Sequence, residues 1–287
     1  LLLQIVGKTF IYNLLLRLEK GIKDALFPLR CLKCHCPAAS AGRAEISCDF
    51  AFDIPVLSDP ESFNALFSEV FCDHCMEQGV IPFESPFCIK CGKKFKTAKW
   101  DDHLCEECLK SRDMIGRVRA AVMYQGYIRD GIHLLKYNGK LQLSGPLELL
   151  LFAAFEKYFS CDHIDLIIPV PLHRRKLMKR GFNQSFVLIQ NFAKIWKTRN
   201  GCPPPWKIDY KVLVRRKNTV SQTGFDKDER KKNMEKAFKV KDPGKIKNRH
   251  ILLVDDVYTT GATTREAASA LFAAKALFVD VLVLARA

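Results

Sequence analysis

No part of the chain is apolar for the ~20 residues that a membrane span needs. The nearest candidate, LLLQIVGKTFIYNLLLRLEKGIKDALF at the N-terminus, is broken by Gln4, Lys8, Asn13 and Arg17. No small-residue cleavage site follows it, which argues against a signal peptide. Leu3, Val6, Phe10, Leu14 and Leu18 recur at helical spacing, so residues 1–25 read as an amphipathic helix. Docking on the domain behind it is preferred to contact with a membrane surface. Acidic residues are also scarce: 31 Asp/Glu stand against 46 Lys/Arg, for a net charge of +15. The shortage is local, because residues 170–250 hold 23 Lys/Arg and 6 Asp/Glu while the remainder hold 23 and 25. Such a field favours polyanions: pyrophosphate, phosphorylated sugars, nucleic acid or an anionic surface. No internal repeat appears apart from the C-x-x-C pairs, and 48% hydrophobic residues argue against wholesale disorder.

Cysteine is plentiful, with twelve residues. Their spacing argues against a secreted disulfide framework. Cys31/Cys34, Cys72/Cys75, Cys88/Cys91 and Cys105/Cys108 are four C-x-x-C pairs, the ligand spacing of structural zinc, which implies a reducing, cytoplasmic setting. Thirteen residues separate Cys91 from Cys105, as in a zinc ribbon, and Gly92 suits a tight knuckle after the second sulfur. Four thiolates close a tetrahedral site, so the role is structural and not catalytic. A second zinc at Cys31, Cys34, Cys72 and Cys75 is expected across a longer insertion, and a cross-braced pairing of the four knuckles stays open. Cys36, Cys48, Cys161 and Cys202 read as ordinary small residues. His35, His74 and His103 are less favoured alternative ligands.

From Arg117 the pattern becomes α/β. Residues 119–124, 165–171, 210–214, 251–254 and 279–284 read as strands; 129–137, 146–159 and 184–198 read as helices. Alternation at these lengths implies a parallel sheet flanked by helices, with ligands at the carboxyl ends of the strands.

One stretch, ILLVDDVYTTGAT at 251–263, carries more than secondary structure. A buried strand surfaces at Asp255 and Asp256, then Thr259, Thr260, Gly261, Ala262 and Thr263 lead into a helix. A helix N-terminus attracts phosphate, Gly261 lets the backbone approach a ligand, and the threonine hydroxyls add donors. The carboxylates suit sugar hydroxyls or magnesium held through water. A phosphorylated sugar satisfies both halves. The run lacks the Gly-Lys-Ser/Thr ending of a Walker A loop and the three spaced glycines of a dinucleotide fingerprint.

This run resembles the phosphoribosyl-pyrophosphate (PRPP) motif of type I phosphoribosyltransferases. The resemblance implies that Asp255 and Asp256 take the ribose hydroxyls and Thr259–Thr263 the 5′-phosphate, with magnesium. His173, Arg174 and Arg175, after a buried strand, look like the pyrophosphate loop. Residues 215–236 resemble the mobile loop that closes over PRPP, with Arg216, Lys217, Gln222 and Arg230 as its candidates. Lys136 and Tyr137 end a helix near the site, although a lysine at a helix end is common without function.

Over residues 26–287 the chain resembles the ComF family, on LFPLRCLKC, FCDHC, FCIKCG, LCEEC, HLLKYNGK, IIPVPLHRRKLMKRGFNQ, SQTGFDKDERKKNMEKAF and the PRPP motif. That implies a zinc-knuckle domain at 26–116 and a phosphoribosyltransferase-like domain at 117–287. It also implies handling of single-stranded DNA during natural transformation at the cytoplasmic side of the inner membrane, beside competence or membrane-transport machinery. The other reading is a working phosphoribosyltransferase acting on a nucleobase or other amine. Phe182, Phe186, Trp196 and Trp206 are base-stacking candidates, with Phe186 and Trp196 at core spacing.

Overall fold

The computed structural model describes residues 30–36, 60–77, 79–95, 101–111, 114–159, 164–217 and 237–287. The expected N-terminal helix, Cys48, Cys161, Gln222 and Arg230 lie outside them. None of the described helices is long and apolar enough to cross a membrane.

Two short helices, α1 (Pro60–Phe67) and α2 (Asp73–Met76), carry the first cysteine module, and α3 (Glu106–Lys110) closes the second. Beyond them runs the sheet region: β1 (Val118–Met123), α4 (Gly126–Asn138), α5 (Ser144–Tyr158), β2 (Leu166–Pro169), α6 (Arg174–Arg180), α7 (Gln184–Val187) and α8 (Phe192–Asn200). It continues with β3 (Lys207–Ile208), β4 (Leu213–Arg215), β5 (Phe238–Val240), β6 (His250–Tyr258), α9 (Ala262–Ala273) and β7 (Phe278–Arg286).

Five strands form one sheet in the order β1-β7-β6-β2-β3. All four pairings are parallel, with Leu253 opposite Val281 and Ile168 opposite Leu253. A parallel sheet is covered on both faces, which is why β6 and β7 are apolar without interruption. Their side chains still alternate. Leu252, Val254, Leu282 and Leu284 join one core with α5, while Ile251, Leu253, Val281 and Val283 join the other with α9. Helix α5 is apolar almost all round because it is sunk between the sheet and the first cysteine module. Its Phe152 and Phe155 are fully buried, and Phe63, Phe67 and Phe71 belong to the same core.

Several boundaries differ from those read in the sequence. The single helix over 184–198 is split, because the buried carboxylate of Glu148 accepts hydrogen bonds from Asn191 N (2.6 Å) and Nδ2 (2.9 Å) and draws the chain inward between α7 and α8. The strand expected at 210–214 starts at Leu213 and leaves the main sheet to pair antiparallel with β5. Its place at the edge is taken by the two residues of β3. Asp209 Oδ1 then accepts from Lys211 N and Val212 N, turning the chain away.

Candidate functional site

Strand β6 continues past Val254, so Asp255 and Asp256 lie inside it rather than where it surfaces, and both are buried. Neighbouring strand residues project to opposite faces. Asp256 meets Lys136 near the end of α4, with Nζ 2.9 Å from Oδ2. Asp255 accepts from Ser185 Oγ and from the Asp256 backbone N–H, each at 2.9 Å. Burial first, then the charge of Asp256, push the Asp255 carboxyl up to about 7, against the pull of Lys136 and the hydrogen bonds. Burial works against the Lys136 ammonium, but Asp256 and Asp255 outweigh it and hold its pKa above the ordinary lysine range.

Only Val257 and Tyr258 separate the acid pair from Thr259. Gly261 caps α9 with φ +74°, and a Cβ added there would lie 2.1 Å from Tyr258 Oη. Only glycine fits this turn. Thr264 Oγ1 donates to Gly261 O (3.0 Å), and Arg265 donates to Thr260 O. Thr259 is exposed, and Thr260, Ala262 and Thr263 are half-buried beside the first turn of the helix.

The basic loop after β2 lies on the same rim. His173 caps α6, its Nδ1 accepting from Arg175 N at 3.3 Å, while Arg174 and Arg175 are exposed. The cations that turn inward are others. Lys176 is held below the ordinary lysine range by burial and then by Arg215 and Arg180. Burial likewise lowers Arg215, opposed by the charge of Asp255. An isolated bridge between His173 and Arg215 sets the end of β4 against this loop. Arg180 donates to Gln184 Oε1 at 2.7 Å and lies over the Tyr137 ring. Asn183 ties the turn together, donating to Val170 O at 3.1 Å and accepting from Ser185 N at 3.2 Å. The GFNQS turn thereby fixes the hydroxyl that holds Asp255. Arg216 and Lys217 are exposed.

The cysteines assemble by sequence order and not by cross-bracing. Cys31, Cys34, Cys72 and Cys75 form one group and Cys88, Cys91, Cys105 and Cys108 another, with the sulfurs of each group within 4.8 Å of one another. Each group can hold a metal ion. Cys88 Sγ accepts the backbone N–H groups of Cys91 (3.4 Å) and Cys105 (3.3 Å). Burial raises the Cys88 thiol, yet these bonds outweigh it and bring it to about 6. Burial and the neighbouring sulfurs push Cys108 far up. Cys31 and Cys75 repeat the contrast in the first group. One thiolate therefore opposes the next until a cation joins them, which is how a four-sulfur metal site behaves. Gly92 has φ +66°, and a Cβ there would come 2.8 Å from Val118 O, so the knuckle is pressed against β1.

No protein-family model matches the chain. The DNA utilization protein YhgH of Escherichia coli O6:H1 is 30% identical over 207 residues, spanning 71% of this chain and 85% of that protein. Competence protein F of Haemophilus influenzae is 27% identical over 199 residues, 68% of this chain and 81% of its own. Competence protein ComFC of Bacillus subtilis is 24% identical over 208 residues, 64% of this chain and 77% of its own. The chain belongs to the ComF family. Among solved structures, a B. subtilis PRPP amidotransferase matches 42% of the chain and 22% of its own at 16% identity, with a TM-score of 0.27. That likeness is too slight to bear on fold or function.

In this ComF-family chain, sequence reasoning passed over Ser185, Arg215 and Arg286 and discounted Lys136. HLLKYNGK offered Lys136 only as a cation at a helix end; it becomes necessary once the two adjacent carboxylates are seen to be buried. Trp206 is not available for stacking bases. It is buried against Phe155 at 5.5 Å and Trp196 at 6.3 Å. Phe186 instead pairs with the exposed Tyr210, their rings 4.7 Å apart.

Proposed function

We propose that this ComF-family chain binds PRPP with magnesium between Asp255–Asp256 and the Thr259–Thr263 turn. The observation that carries this is the buried acid pair, held by Lys136 and Ser185, two residues before the turn in which Gly261 caps α9. Carboxylates held in place by one lysine and one serine suit sugar hydroxyls, and the amides of the first turn suit a phosphate. Lys176, Arg180 and Arg215, together with His173, Arg174 and Arg175, supply positive charge for the departing pyrophosphate. Arg216, Lys217, Gln222 and Arg230 are assigned to the loop that closes over it. Magnesium, when bound, offsets the charge of the pyrophosphate, and the chain's own cations orient it.

The role that best fits the relatives' names is DNA uptake, with this chain handling incoming single-stranded DNA on the cytoplasmic side of the membrane. The positive charge of residues 170–250 and the zinc-loaded cysteine modules supply its contacts. Four sulfurs per group, one of them (Cys31, Cys88) brought down to about 6, favour zinc as the metal. Binding of this kind weakens steeply with salt. Equal affinity for a single-stranded oligonucleotide at 50 and 200 mM salt would remove the DNA role.

The second reading is catalysis on a nucleobase or another amine, favoured by the same acid pair and rim. PRPP turnover against a panel of bases, with and without single-stranded DNA, separates the two. Pyrophosphate released with one base supports the enzyme, and PRPP binding without turnover supports the DNA-handling protein.

A further inference from the structure

Arg286, at the end of β7, is 7% exposed, and among the described residues it forms no ion pair with a carboxylate. Its Nη1 is buried and finds no hydrogen-bond partner among the described residues. Burying a guanidinium in this state is costly unless an anion lies near it. What lies near it is sulfur: Nη2 is 4.0 Å from Cys91 Sγ in the second cysteine group. Four thiolates around one divalent ion carry a net charge of about −2, and that shell can offset the arginine. On its other side the guanidinium lies over the Tyr258 ring, 4.8 Å from the centroid. The same tyrosine lies directly under Gly261, where an added Cβ would meet its hydroxyl at 2.1 Å. A cavity of about 260 Å³ runs between the two, lined by Cys91, Cys108, Arg286, Tyr258, Thr259 and Thr260.

We propose that Arg286 is a positioning residue that couples metal occupancy of the second cysteine group to the conformation of the Thr259–Thr263 turn. Loaded thiolates hold the guanidinium, the guanidinium holds Tyr258, and Tyr258 supports the backbone at Gly261. When the metal leaves, Cys91 is no longer fixed beside the guanidinium in a closed four-sulfur shell, and the turn loosens. The functional meaning rests on the phosphate-site reading above; the coupling itself does not.

The test is amide hydrogen exchange over residues 259–264 in the full chain, metal-loaded and after treatment with a strong chelator. Wild-type protein should exchange on the order of tenfold faster there after chelation, a coupling within the usual range for linked sites. Arg286→Gln should exchange fast in both states while keeping its circular dichroism, and Arg286→Lys should restore part of the difference. Exchange at 259–264 that ignores the metal in wild type overturns the proposal. So does Arg286→Gln that keeps the full metal dependence, because the effect would then come from general loosening of the module. Exchange needs no PRPP, so failure to bind PRPP would sink the phosphate-site reading without altering this result.

Discussion

Lys136 Nζ stands 2.9 Å from Asp256 Oδ2, and this ion pair joins the end of α4 to the acid pair inside β6. Lys136 holds its proton more firmly than an ordinary lysine, so the pair contributes stability below the ordinary lysine pKa and loses it only above its own raised value. Lys136→Met leaves two neighbouring carboxylates buried without the cation that pairs with Asp256. Urea unfolding at pH 8 should show a loss of about 3–5 kcal/mol, shrinking at pH 5 where Asp255 takes up a proton. Adding Asp256→Asn should recover much of the loss. Additive effects of the two changes would contradict the pairing.

Asp255 makes the site depend on pH. Its carboxyl titrates near 7 in the folded chain, above the unfolded value of ~3.9. Between those values the folded state holds the extra proton, so ionising Asp255 as pH rises toward 7 removes stability. Asp255→Asn should therefore be more stable than wild type at pH 8, with the gap closing at pH 4. A ligand that needs the carboxylate should bind more tightly from pH 6 to pH 8. Calorimetry in buffers of different ionisation enthalpy reads the released proton; affinity flat across that range would count against Asp255 as a ligand.

The sheet was legible because β6 and β7 are apolar runs of strand length, and the cysteine groups were legible because ligand spacing is local. The split between α7 and α8 was not, since Glu148 lies 43 positions from the Asn191 it binds. Nor was the burial of Asp255 and Asp256, because a DD dipeptide reads as the end of a strand until Lys136 and Ser185 are brought to it. Arg286 gave no local signal, as its sulfur and its tyrosine come from different parts of the chain.

The cysteine groups predict two metal ions per chain. Elemental analysis should find one lost in Cys88→Ser and one in Cys31→Ser, with both released as falling pH protonates the sulfurs. A chain that folds fully with neither metal would contradict the assignment, since a four-thiolate site contributes folding free energy outright.

Gly261→Ala sets a methyl group against the Tyr258 ring in a turn with φ +74°. It should cost about 1–3 kcal/mol in thermal or urea unfolding through strain and weaken PRPP binding at least tenfold. Unchanged PRPP affinity in this variant would place the phosphate elsewhere.

The most direct test is titration of PRPP and magnesium into wild type and into Asp255→Asn/Asp256→Asn, with circular dichroism confirming the fold of both. Saturable binding in wild type, lost in the double variant, is the result this account requires. Equal affinity in the two proteins would show that the acid pair does not hold the sugar.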